Sequence, residues 1–266
     1  MDQNKNFYIF QKCLDDLSVL VSQIGESFSP PKFVSVGGQQ QFRYSEHTVY
    51  HVALLKAVRM VSGLNASLVL LQGGYYQEIM VVLRTLDDFS SEILFILENA
   101  EQNTLSEAQT KFMDDFFQEE FINPNNPLEN TKRRSTVPKK KIWASAARQV
   151  GQYANPSDAQ KILQVTNDAF SGYIHGAYPH IMELYGGNPS RFHTNGVLIG
   201  PRIQSSFKQI SLYLHKTIMA IGILTKSLGL GGLADRTIEI RNYFESETDY
   251  EIINDIEKSI KDLKQR

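Results

Sequence analysis

The chain has 266 residues with 42% hydrophobic and 21% charged side chains, enough for one sizeable core or two small ones. Its formal net charge of −2 gives no overall attraction to nucleic acid or anionic membrane, so any such attraction has to be local. The single cysteine, Cys13, excludes an intramolecular disulfide and a cysteine-only zinc site.

The same cysteine usage points to an intracellular, cytoplasmic home, and the amino terminus "MDQNKNFYIFQK", polar and without the basic flank and apolar core of a secretory signal, reads as mature protein. From about Asn4 to Ile24, Phe7, Phe10, Leu14, Leu17, Val21 and Ile24 form an apolar helical seam. Bundle packing and a homodimer interface are both open for this seam, and packing is favoured. Residues 25–43, with Pro30, Pro31, Gly37, Gly38 and a Gln run, read as a long irregular connection.

Ser45 is a candidate cap for a helix from about Glu46 to Leu71, which would set His47 and His51 one turn apart. With no informative third ligand nearby, no metal site is expected there. Gly73 and Gly74 then break the helix, and the next helix, about Tyr75 to Leu97, should return antiparallel. This central helix carries Glu78, Val81, Thr85, Asp88 and Glu92 on one stripe, with Arg84 beside it and apolar residues on its other flanks. Charges on a mostly apolar helix must find partners or line a wet cleft, so the stripe is either an ion-pair network or a site.

An acidic helix over about Leu105 to Phe121 precedes a basic stretch, with Lys132, Arg133, Arg134, Lys139, Lys140 and Lys141 between positions 132 and 141. That stretch is the candidate nucleic-acid contact, against the alternatives of a solvated loop or one paired with the acidic helix. Helices from about Pro138 to Gln152 and Pro156 to Ile174 follow, the second capped by Asn155 and closing in "FSGYIHG". A short hairpin near residues 191–199 is the one strand pair expected. The long apolar helix from about Arg202 to Leu228 includes the longest membrane-span candidate, Leu212 to Leu230; His215, Lys216 and Lys226 interrupt it, so it reads as a core helix and no membrane partner is expected. Helices around Ala234 to Glu245 and Asp249 to Lys264 complete an all-α, single multi-helix bundle spanning 1–266, its core about 46–230, with 1–45 and 233–266 packed on it.

Motifs for phosphate loops, dinucleotide folds, serine-nucleophile elbows and di-iron bundles do not occur, nor does the Arg-to-His spacing of HEPN-type helical ribonucleases. No cofactor is expected.

"GYYQEIMVVLRTLDD", Gly74 to Asp88, together with "FSGYIHG", Phe170 to Gly176, resembles an uncharacterised bacterial all-helical domain-of-unknown-function family. That family pairs a GYxxE/R[ST]LxE helix with a later LSxYxH helix end. The matching positions are Gly74, Tyr75, Glu78, Arg84, Leu86, Ser171, Tyr173 and His175; Asp88 replaces Glu and Phe170 replaces Leu. The resemblance spans roughly residues 50 to 180 and implies a helical fold, with a stress or phage-defence setting as its loosest implication. If the later motif packs on the central helix, Tyr173 and His175 meet Glu78, Arg84 and Asp88. Two readings then stand: a binding or regulatory module, with Tyr75, Tyr173 and Arg84 at its ligand site; or a diverged metal-independent nuclease acting on RNA. In the second, His175 is the acid or base, Glu78 and Asp88 are the carboxylates and Arg84 meets the phosphate.

Overall fold

The computed structural model describes residues 3–102, 104–119, 125, 126, 128, 136–150, 155–198 and 200–248. Among these the architecture is all-α, with two short antiparallel hairpins at its margins.

Helix α1 (Gln3–Glu26) buries Phe10, Leu14, Leu17, Val21 and Ile24. The seam read from the sequence therefore faces the chain's own core, against α2 (Val49–Gln72), α8 (Pro201–Ser227) and α9 (Gly231–Glu247). Central to the bundle is α3 (Tyr76–Leu97), which turns back from α2 through Gly73 and Gly74 and packs along it. On the other side α3 meets α5 (Lys139–Val150) and α6 (Pro156–Ile174), while the short α4 (Glu107–Phe116) lies on α2. Tyr213, Leu214, Ile218 and Ile221 of α8 fill the space between α2 and α3, as expected of a core helix. Among the described residues, α2 is the helix long and apolar enough to cross a membrane, and 56% of its most apolar window is buried inside the fold.

Three local expectations differ from the structure. The supposed irregular connection at 25–43 contains a hairpin, β1 (Lys32–Val36) with β2 (Gln39–Arg43), pairing Phe33 with Phe42. Gly37 and Gly38, at φ 58° and 79°, make the tight turn that such hairpins favour. Strand periodicity was hidden because neither face is buried; Phe33 and Phe42 stay exposed and pack on each other at 4.7 Å. Second, α2 is capped by the Thr48 hydroxyl, which accepts from the His51 amide, and not by Ser45. His47 thus precedes the helix and stacks on Phe117, whereas His51 is buried between Phe28 and Tyr44. Third, the later hairpin forms from β3 (Tyr185–Gly186) and β4 (Arg191–Phe192), upstream of the Asn195-Gly196 turn. A five-residue helix α7 (Tyr178–Met182) precedes it. The expected last helix, about Asp249 to Lys264, lies outside the described residues.

Candidate functional site

The charges of α3 divide by face. Arg84 is buried, accepts no solvent contact of consequence, and reaches Asp88 Oδ2 at 2.8 Å one turn along its own helix. With the Asn167 carboxamide oxygen facing inward, that oxygen accepts from Arg84 Nε and Nη2, tying α3 to α6. Asp88 in turn takes Lys139 Nζ of α5 at 3.1 Å.

One position earlier, Asp87 is turned the other way and is 1% exposed. Its Oδ1 accepts from Lys216 Nζ at 2.7 Å and from the Tyr213 hydroxyl at 3.2 Å, both on α8. Burial, then the neighbouring Asp87 charge, pushes the Tyr213 phenol well above its ordinary range. Glu92 meets Lys56 of α2 at 2.6 Å. Just past the end of α3, Glu98 is held by Arg148 at 2.8 Å and by the Ser145 hydroxyl at 2.6 Å, both on α5. Each helix packed along α3 is thus joined to it by at least one polar link, which a buried charge requires.

The amino-terminal end of α3 holds a second cluster, around Glu183. The Tyr76 hydroxyl donates to the Glu183 carbonyl at 2.7 Å, and the Tyr173 hydroxyl to its carboxylate at 3.2 Å. Arg202 Nη1 lies 2.8 Å from Glu183 Oε1, and the Gln77 amide donates to the His180 carbonyl. The His180 ring packs on Tyr173, centroids 4.0 Å apart, against Gly172, where a Cβ would overlap the ring. Its Nδ1 is buried without a hydrogen bond, 3.9 Å from Glu183 Oε1. Burial, reinforced by the Glu183 charge, raises the Tyr173 phenol to about 12, so it stays a donor at neutral pH.

Of the residues singled out by sequence, Arg84 and Asp88 come together, and His175 does not join them. His175 is the exposed carboxy-terminal cap of α6, eight residues beyond Asn167 and so about 12 Å along the axis from the Arg84 contact. The antiparallel run of α6 along α3 carries "SGYIHG" past Arg84 to the start of α3, where Tyr173 meets Glu183. Glu78 is exposed and has no hydrogen bond or ion pair among the described residues. Tyr75 is half-exposed in the α2–α3 turn and lies over Gly73. Lys132, Arg133 and Arg134 lie outside the described residues. Lys139, Lys140 and Lys141 are exposed in the first turn of α5 instead of in a loop, at the helix end where the backbone dipole disfavours cations. Asp88 offsets this for Lys139.

The chain matches no family model, no curated protein and no solved structure.

Sequence reasoning gave no site role to Asp87, Lys56, Lys216, Asn167, Glu183 and Arg202. A signal existed for the first two. Asp87 lies four residues from Leu83 and seven from Met80, within the apolar arc, and Lys56 sits among buried Ala53, Ala57 and Met60. Among the described residues no group of three or more His, Cys, Asp or Glu side chains is placed to hold a metal ion. Burial raises the Cys13 thiol to about 12, which leaves it unreactive at neutral pH.

Proposed function

We propose that this chain is a non-catalytic helical binding module. One observation carries the reading: of the α3 charges around which a reactive cleft could have formed, Arg84, Asp87, Asp88 and Glu92 each face a partner within the fold, and the exposed exception, Glu78, has neither Arg84 nor His175 as a partner. General acid and base work needs a group within hydrogen-bond reach of the reacting atom and free to exchange its proton. Around Glu183 the carboxylate is already neutralised by Arg202, and the phenol above it holds its proton. Both clusters have the chemistry of braces. The family resemblance adds a setting to this reading, a bacterial stress or phage-defence system.

The rival, an RNA-directed nuclease using His175 and Arg84, needs the imidazole and the guanidinium on one phosphate. Arg84 is engaged by Asp88 and Asn167, and His175 stands in solvent a helical turn and more beyond reach. The test is incubation of the full chain with RNA and with DNA under chelation at high protein concentration. No cleavage is expected. Cleavage that His175→Ala abolishes while thermal unfolding is unchanged would overturn the reading.

A further inference from the structure

The segment from Ile174 to Arg202 has an unusual surface. Ile174, Tyr178, Ile181, Tyr185, Phe192 and Leu198 are all exposed, Tyr178 at 76%, Leu198 at 65% and Phe192 at 54%. Soluble chains rarely gather so many large apolar side chains at one end of a fold without a use for them. Tyr185 and Phe192 meet across the β3–β4 pair with centroids 4.9 Å apart, and Tyr178 and Ile181 lie one turn apart on α7.

Its polar complement is equally selective. Between positions 174 and 202 the sequence has no Lys, no Asp and a single Glu, Glu183, which Arg202 already neutralises. Arg191 is exposed and has no hydrogen bond or ion pair among the described residues. Aromatics, Met and Arg with Lys, Asp and Glu depleted is the composition of the buried part of protein–protein interfaces. The mount is fixed as well. Tyr76 and Gln77 hold the backbone at Glu183 and His180, and the Val197 amide donates to the Gly74 carbonyl at 2.9 Å. Rings presented on a fixed backbone lose little further freedom on binding.

We propose that this face docks an apolar protein segment carrying one or more carboxylates; the inference rests on the reading of the chain as a binding module. The carboxylate answers Arg191 on a segment whose one acid, Glu183, is already paired with Arg202, and the apolar residues answer the rings and the Ile and Leu side chains. Nucleic acid fits less well, because affinity for phosphates grows with the number of unpaired cations and three of the six apolar groups are aliphatic and cannot stack on bases. A second copy would set this weakly basic surface against itself across a two-fold axis.

The test is selection of phage-displayed random peptides on the full chain, followed by titration of the enriched sequences as synthetic peptides. Apolar anchors flanked by Asp or Glu are expected. Phe192→Ala and Tyr178→Ala should each weaken binding about tenfold or more. Arg191→Glu should turn the selection toward Lys- and Arg-bearing peptides. These side chains are exposed, so unchanged thermal unfolding of the variants serves as the control. Failure to enrich peptides, or peptides that bind the Ala variants equally well, overturns the proposal. So does binding of poly(U), or self-association, that Phe192→Ala abolishes. None of these titrations measures turnover, so a failure here is distinct from cleavage of RNA, which would overturn the binding-module reading.

Discussion

Lys56 Nζ lies 2.6 Å from Glu92, with the rings of Phe89, Phe116 and Phe112 at 4.9, 5.0 and 5.4 Å around the ammonium. An ion pair so enclosed stabilises only while both members are present. Lys56→Met should therefore cost about 3 kcal/mol in urea unfolding, because it strands the Glu92 carboxylate.

The same pair predicts a pH slope. Burial raises the Glu92 carboxyl above its ordinary 4.5, and Lys56 offsets this only in part. From pH 4.5 up through the raised folded value, the folded chain holds more protons than the unfolded one, so this group's contribution to stability falls as pH rises. Glu92→Gln should remove that component from urea midpoints measured across the window.

Glu98 should act with the opposite sign. Burial works to raise its carboxyl, but the hydrogen bonds from Arg148 and Ser145 outweigh burial and hold it below 4.5. Its contribution is present above pH 4.5 and is lost as pH falls through the lower folded value. Since Arg148 is more than half exposed, the effect of Glu98→Gln at neutral pH should be about 1 kcal/mol or less.

Arg84 joins α3 to α6 through a fork that a lysine cannot reproduce. Arg84→Lys and Asn167→Ala should each destabilise by about 1–2 kcal/mol, and the double variant by clearly less than their sum. Additive losses in a double-mutant cycle would show that the two side chains do not share this contact.

Gly196 sits at φ 82°, and a Cβ there would overlap the Gly73 carbonyl oxygen. Gly196→Ala should undock the 193–198 loop from the α2–α3 turn, at a local cost of about 2 kcal/mol. Trypsin should then cleave faster after Arg191, while the overall unfolding midpoint moves little.

Leu14 and Leu17 are fully buried against the chain's own helices. The pair of substitutions Leu14→Asp and Leu17→Asp should abolish cooperative unfolding by circular dichroism, whatever the protein's oligomeric state, because two carboxylates would be placed in the core.

Helix periodicity made much of the bundle legible, since α1, α3 and α8 each bury an apolar arc long enough to register. Pro156 behind Asn155 marked the start of α6 to the residue. The hairpin at 32–43 did not register, because its inner face is only half-buried and includes Gln41 and Arg43, while Phe33 and Phe42 lie on the exposed one, so the alternation of a buried strand is missing from its sequence. For the charged helix, the sequence left partners or a wet cleft open and offered Arg84 with Asp88 one turn on, but not the partners on other helices. Helical spacing orders residues along one element, whereas Asp87 with Lys216, or Arg84 with Asn167, is fixed by how separate helices cross. The expected meeting of His175 with Arg84 failed on this point: α6 does pack on α3, but in a register that leaves His175 beyond its reach.

One consequence follows from where α5 and α6 sit. They touch each other and α3, and reach the rest of the bundle mainly through that one helix, while α1, α2, α8 and α9 share a core on its far side. Stability is therefore unevenly divided, and backbone amides of α5 and α6 should exchange with solvent well before those of α2 and α8. A chain that peels along this boundary keeps most of its fold while uncovering Arg84, Asp88 and Glu98 at once. The braces on that side of α3 are also the charges it would expose on opening.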